Sequence, residues 1–404
     1  MTPVPVGPPV AVVGTPGDRR VTLFAAALRR HGLPEPHVVA WRDVLAWSEA
    51  LAGREVLGGH EAVAGRDVLA RSDAPDGWDV PPAPRFPEGA IVRVESPGED
   101  AAADALLRGP GDPSRVGGGA TWHARFVRAL ESVRDAVART PGARLAGDVG
   151  EIAVMFDKRL CHARLAAAGV PVPPALPGPV RGYTALRAAM REAGWARVFV
   201  KPAHGSSASG VVALQAHGPR IKATTSVELE SAGRLHNSLR VRSYEHETDV
   251  AAIVDALAPD GLHVERWFPK ASVGGRVFDL RVVVTGGRPT HAVVRTSHAP
   301  MTNLHLGGRR GDLAMVRATL GESGWARAMD VCAAAAACFP RSPAVGVDLM
   351  LEAGRWDPAV AEVNAFGDLL PGLTGLPGGG AEGLDTYEAQ VELLLGSART
   401  AGRR

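Results

Sequence analysis

Three side chains near the C-terminal end of this chain have types and a spacing that could hold a hard cation. Asp348, Glu362 and Asn364 interrupt two apolar runs, VGVDLML and AVAEVNAF, within residues 345–367. The polar turn between the runs contains Gly354, Asp357 and Pro358, so the segment reads as a β-hairpin. Residues two apart on a strand share a face, which aims Glu362 and Asn364 the same way. Pairing the strands across the turn can bring Asp348 beside them. Two carboxylates and an amide oxygen in one place suit Mg²⁺, which also keeps phosphate ligands when it binds. The same residues could equally line the wet face of an ordinary hairpin, and the hairpin alone does not separate the two.

Lysine usage narrows the choice. Of 45 basic residues only four are lysine, Lys158, Lys201, Lys222 and Lys270. Where arginine so thoroughly replaces lysine, the remaining lysines are enriched at places that need a compact ammonium, and two of the four are expected to be chemical. Lys158 falls in the first turn of a predicted helix over residues 156–168. The helix dipole disfavours a cation there, which points to a ligand-facing role. Lys201 ends the strand VFVKP and adjoins the loop AHGSSASG, which contains Ser206, Ser207 and Gly210. Small side chains and open backbone N–H groups in such a loop can fold over phosphates. A strand rather than a helix follows and no Lys-Ser/Thr closes it, so it is not a Walker loop.

The elements that would position these groups can be read in order. PVAVVG (residues 9–14), an amphipathic stretch with Val21, Phe24 and Leu28, and a short strand at 37–40 predict a parallel α/β domain. The intervening GTPGD lacks GxGxxG and reads as a plain turn. Residues 72–90 read as a surface loop and 90–95 as a further strand. This domain is expected to end near residue 115. A helix over 121–139 follows, with Thr121 as its cap and Trp122, Phe126, Leu130, Val133 and Val137 as its stripe. Residues 222–246 read as strand, 248–257 as helix and 262–268 as strand. A hairpin over 277–296 puts Asp279 and Arg281 on one face and Arg295 on the return strand. An Ala-rich helix over 325–339 precedes the opening hairpin, a Gly/Pro loop follows it, and a helix over 384–395 closes the pattern.

Bulk composition excludes several classes. With 404 residues, 46% hydrophobic, 22% charged and net charge +2, the chain reads as an ordinary soluble globular protein of two or three domains. That charge gives no field to recruit nucleic acid. No apolar run approaches the ~18 residues of a membrane span, and the N-terminus does not read as a signal peptide. Three cysteines, Cys161, Cys332 and Cys338, without CxxC spacing fit a reducing cytoplasm.

Over residues 150–396 the order of motifs resembles the ATP-grasp superfamily, nearest to its ribosomal-protein glutamate ligase and glutathione synthetase group. The pattern is carried by Lys158 before GVPVP, Lys201 with its small-residue loop, VERWF (264–268), Asp279 and Arg281 as D-x-R, Arg295, NLHLGG (303–308), and Asp348 with Glu362 and Asn364. The resemblance implies an α/β architecture in which a pre-ATP-grasp domain, residues 1–115, and a helical connection, 116–154, precede an ATP-grasp fold of two α+β subdomains clasping ATP. Those subdomains would be 155–270, with a lid, and 271–396, with the metal site, leaving 397–404 as a tail. It further implies that Lys158, Lys201, Ser206, Ser207, Gly210 and Asn303 meet the phosphates. Glu265 would accept the adenine amino group, with the backbone of Trp267 and Phe268 lining the adenine pocket, and Asp279 would lie at the ribose. Arg295, with Lys201 and Arg281, would face the transferred phosphoryl group. Asp348, Glu362 and Asn364 would hold one or two Mg²⁺ ions, with Mn²⁺ an acceptable substitute.

The activity so implied is a cytoplasmic ATP-dependent ligase that joins a small-molecule or peptide carboxylate to an amine through an acylphosphate, with a homodimer left open. A kinase acting on a small molecule, or a nucleotide-binding partner protein without turnover, would use much of the same inventory. Two departures from the family pattern stand out. Arg266 replaces the usual acid, and AFGD (365–368) replaces a small-residue stretch where the acceptor substrate would bind.

Overall fold

The computed structural model describes residues 7–57, 82–98, 100–205, 208–230, 233–367 and 370–401. Most of the loop expected at 72–90 therefore lies outside the described residues. The apolar run Val10–Gly14 forms a wholly buried strand, β1. Asp18 caps helix α1 (Arg19–Arg30) by accepting the Arg20 N–H at 2.7 Å, and α1 turns Val21, Phe24 and Leu28 inward. There follow β2 (His37–Ala40), α2 (Trp41–Leu57), β3 (Ile91–Val94), α3 (Ala101–Arg108), α4 (Gly119–Arg139) and β4 (Arg144–Leu145). The strands form one parallel sheet of order β2-β1-β3-β4.

The first α/β unit therefore runs past the boundary expected near residue 115. Helix α4 packs on α2 and α3, and β4 pairs with β3, so much of the expected connection at 116–154 belongs to this unit. β4 has two residues and no periodicity to read; it exists because β3 offers an edge. Helix α4 also begins before the expected Thr121 cap. Its first N–H groups are satisfied from afar, Gly118 and Ala120 donating to the Asp260 carboxylate at 2.7 and 3.1 Å.

The middle of the chain comprises α5 (Val149–Met155), α6 (Lys158–Ala167), α7 (Tyr183–Glu192), β5 (Arg197–Pro202), β6 (Val212–His217), β7 (Arg220–Leu229), β8 (Leu235–Tyr244), α8 (Glu247–Leu257) and β9 (Leu262–Arg266). Its antiparallel sheet, β8-β7-β6-β5-β9, shares a core of Leu186, Val198, Val200, Leu214 and Val254 with α7 and α8. The last part holds β10 (Ser272–Val273), β11 (Arg276–Thr285), β12 (Arg288–Ser297), β13 (Arg309–Arg310), α9 (Leu313–Ala337), β14 (Ala344–Leu351), β15 (Pro358–Asn364) and α10 (Thr386–Ala401). The sheet order is β13-β12-β11-β14-β15, with β10 added to β11. Helix α9 starts well ahead of the predicted 325 and bends at Gly321, whose φ of +66° interrupts the helix. Helix α10 crosses back to the first unit, where Tyr387, Val391 and Leu394 join Val12, Phe24 and Leu28.

A run of rings ties the first unit to the functional elements. Phe126 of α4 packs against Trp41, Trp122 and Phe156 at centroid separations of 5.4, 4.9 and 4.9 Å, and Phe156 meets Phe366 at 5.7 Å. Phe156 lies two residues before Lys158, and Phe366 two after Asn364. Phe126→Ala is expected to destabilise the protein by about 3–5 kcal/mol, read from the shift of its denaturant midpoint.

Candidate active site

Cross-strand register concentrates charge on one face of the last sheet. Asp279 lies opposite Arg295, Arg281 opposite Asp348, Asp348 opposite Glu362, and Gly346 opposite Asn364. Directly opposed residues project to the same side, so the predicted groups converge. Arg281 Nε lies 2.5 Å from Asp348 Oδ1, and Arg295 reaches Asp348 Oδ1 at 3.1 Å and Asp279 Oδ1 at 2.8 Å. Asn364 Nδ2 donates to the Gly346 carbonyl at 3.3 Å.

The two central carboxylates differ in their electrostatics. Burial raises the Asp348 pKa against the pull of Arg281 and Arg295, and the adjacent Glu362 charge adds to the rise. Burial also opposes the Glu362 charge, but Lys158, Lys201 and the two arginines outweigh it and lower its pKa. The Lys158 ammonium lies 3.5 Å from Glu362 Oε2.

The opposite wall comes from β5, β9 and the start of α6. Lys201 Nζ pairs with Glu265 Oε2 at 2.6 Å, and His263 Nε2 meets Glu265 Oε1 at 2.8 Å. Burial works against the Glu265 carboxylate, yet Lys201 and then His263 hold its pKa down at about 2. Lys158 is the first residue of α6, behind the capping residue Asp157. Its Nζ donates to the Gly205 carbonyl at 2.6 Å, and its backbone N–H to Ala203 at 2.9 Å. A cleft between the walls is lined by Lys158, Lys201, Glu265, Phe268, Arg295 and Asp348. A second cavity shares Lys158, Arg295 and Glu362 with it, and adds Arg20 and Ser96 from the first unit. Asn303 borders both.

Some expected groups sit elsewhere. The Trp267 ring packs on Phe199, with centroids 5.0 Å apart, and under the Arg197 guanidinium. Phe268, the next residue, lines the cleft. Gly210, at φ +71°, is a packing residue: a Cβ there would come within 2.6 Å of Pro202 and 2.8 Å of Val116. Asp279 does line the cleft, where it is engaged by Arg295, by the Thr302 hydroxyl and, at 3.6 Å, by Lys270. Ser206 and Ser207 lie outside the described residues.

One lysine was missed. Lys270 lines the cleft, donates to Thr302 Oγ1 at 3.2 Å, and has its pKa lowered by burial against the pull of Asp279. Lysine scarcity, the signal that singled out Lys158 and Lys201, also pointed to Lys270.

No family model and no curated protein matches this sequence. Solved structures do. The chain is similar to D-cycloserine synthetase DcsG, with 16% identity over 96% of this chain and 99% of that one, at a TM-score of 0.52. It is also similar to the ADP complex of PurK, N5-carboxyaminoimidazole ribonucleotide synthetase, with 12% identity over 89% of this chain and 70% of that one, at 0.50. The chain has the ATP-grasp fold that its motif order led one to expect. Among the described residues, no helix is long and apolar enough to cross a membrane.

The Lys201–Glu265 pair has a measurable signature. A carboxylate whose pKa is depressed on folding contributes stability in full above its unfolded value, about 4.3, and loses it as the pH falls through the folded value. Lys201→Met leaves Glu265 buried without its main partner and is expected to cost about 3–5 kcal/mol near neutral pH. The loss of stability between pH 4.5 and 2 should become shallower in the variant, as followed by denaturant titration at each pH.

Proposed function

We propose that the chain is an enzyme, an ATP- and Mg²⁺-dependent carboxylate–amine ligase that works through an acylphosphate. The observation that carries this reading is the facing of two scarce lysines on one wall and Arg295, Asp348 and Glu362 on the other, across a single cleft. Phosphates in that cleft would meet Lys158, Lys201 and Arg295, with Arg281 and Asn303 alongside. Adenine would lie against Phe268, its amino group directed at Glu265. Lys201 turning from Glu265 to a phosphate would release a carboxylate oxygen for that amino group, so one exchange serves both ends of the nucleotide. Asp279 is assigned to hold Arg295 and Lys270 in place rather than to bind ribose.

The acid pair fits a magnesium ion. Asp348 and Glu362 are directly opposed, and the Glu362 charge already raises the Asp348 pKa, a repulsion that a dication would relieve. Among the described residues no third His, Cys, Asp or Glu joins them in a metal cluster. The remaining ligands would then be phosphate oxygens, water and the Asn364 amide, the arrangement Mg²⁺ favours. Bound there, the ion would neutralise and orient the phosphates.

The chemistry asks the chain for placement and charge rather than a nucleophile. A substrate carboxylate oxygen attacks the γ-phosphorus and ADP leaves. Arg295 faces the transferred group, and the second cavity, with Arg20 and Arg281 on its walls, suits the anionic acid. An amine then attacks the acyl carbon and phosphate leaves. The acid is proposed to be a small molecule or a peptide.

The test is phosphate and ADP release with ATP and Mg²⁺ against a panel of amino acids and small acids, with mass spectrometry of the products. Amide formation supports the reading; a phosphorylated end product, or no turnover with any acid, defeats it. Glu362→Gln should fold normally by circular dichroism and lose about 10²–10³-fold in kcat, a magnitude typical of removing one electrostatic stabiliser. Undiminished turnover in that variant would remove the metal assignment.

A further inference from the structure

The first unit opens a crevice onto the reaction centre. Its parallel sheet has the order β2-β1-β3-β4, so the neighbours that follow β1 in sequence lie on opposite sides of it. The connections after β1 and β3 therefore diverge, and open α/β sheets take their ligands in the gap so formed at the carboxyl ends of the strands. Arg20 follows β1, in the first turn of α1, and Ser96 follows β3. Both line the second cavity, about 300 Å³, which Lys158, Arg295 and Glu362 also line.

Arg20 is half-buried. Burial raises the pKa of the nearby Tyr387 hydroxyl, and the charges acting on that hydroxyl are Glu95, Arg93, Arg20 and Asp18. The guanidinium thus belongs to a polar group at the ends of β1 and β3. The helix dipole does not favour a cation in the first turn of α1, so its placement there calls for another reason. Ser96 Oγ accepts the Gly98 N–H at 3.2 Å, and its own proton is a donor for the same cavity.

The cavity has two ends of different use. Lys158, Arg295 and Glu362 line both it and the nucleotide cleft, whereas Arg20 and Ser96 line the second cavity alone. Met155, Phe156 and Phe366 add apolar wall. A guanidinium and a hydroxyl beside an apolar wall, in a space continuous with the reacting groups, suit a short carbon chain that ends in a carboxylate.

We propose that the acid substrate is a dicarboxylate and that Arg20, with Ser96, grips the carboxylate that does not react. The inference rests on the ligase reading. The reacting carboxylate must present a lone pair to the γ-phosphorus beside Arg295, so a bidentate guanidinium on both of its oxygens would hinder the attack. A grip on the far carboxylate leaves the nucleophile exposed. Phosphorylation and amide formation change the charge at the reacting end, while the far carboxylate is the same in acid, acylphosphate and product. One contact therefore holds all three through both steps and keeps the acylphosphate from escaping to water.

The test uses the full-length chain with ATP, Mg²⁺ and hydroxylamine, which traps an acylphosphate as a hydroxamate whatever the natural amine. Succinate, glutarate and adipate are compared with butanoate, pentanoate and hexanoate, the same chains with a methyl group in place of one carboxylate. The wild type is expected to favour the best diacid over its matched monoacid by about 10–100-fold in kcat/KM, the weight of hydrogen bonds to a charged group. Arg20→Gln should erase most of that ratio, chiefly through KM, and Arg20→Lys should keep part of it. A wild type without diacid preference overturns the inference, and so does an equal fall for diacid and monoacid in Arg20→Gln, which would mean that Arg20 only supports the fold. Calorimetry with each diacid, ADP and Mg²⁺ separates this failure from that of the ligase reading. Diacid binding that weakens in Arg20→Gln, with no ADP released from ATP by any acid, would leave the Arg20 contact standing and defeat the ligase reading alone; with neither binding nor turnover, both fall.

Discussion

A carboxylate taken out of water must find compensating charge, and Asp348 sets that demand at the centre of the last sheet. Its neighbours across β11 and β15 are Arg281 and Glu362, and Arg295 reaches it from β12. This arrangement depends on register, because a slip of one residue would carry every side chain to the other face. The other face prevents the slip. Phe278, Leu280, Val282, Val347 and Leu349 alternate with the charged residues and are buried in one core with Trp325 and Cys332 of α9. The apolar core thus holds the register, and the register makes the polar site.

The charges of that site neutralise one another. Arg281 and Arg295 hold Asp348, Lys158 leans on Glu362, and Lys201 holds Glu265. Breaking a buried pair by removing one partner leaves an uncompensated charge, whereas exchanging one partner for another of the same sign does not. The groups proposed to meet phosphates are the ones now pairing with the groups proposed to meet metal and adenine. Nucleotide and metal arriving together would exchange partners throughout without stranding a charge.

The geometry also explains why elements so far apart in the chain share one centre. The ring cluster of Trp41, Trp122, Phe126, Phe156 and Phe366 joins the first unit to the start of α6 and to the end of β15. Lys158 is thereby held against the loop at Gly205, which borders both the cleft and the second cavity. The cleft has both cationic and acidic walls, and the second cavity is lined by Arg20, Arg281 and Arg295.

The sequence alone determined whatever depends on periodicity and residue type. The hairpin of β14 and β15 was legible because apolar alternation and turn residues are local properties, and so were the two lysines, rare in an arginine-rich chain. Motif order carried the ATP-grasp fold. Tertiary structure decided what depends on distant partners. The helix start at Gly119 is satisfied by Asp260, β4 needs the edge of β3, and the oxygens of Asp279 are taken by Arg295, Thr302 and Lys270. His204 finds its partner only because the fold sets Asp157 2.9 Å away. Asp348, Glu362 and Asn364 were candidates as letters in a hairpin. Their convergence with two arginines and a lysine on one face came from strand register, which the burial of the opposite face enforces and no local pattern displays.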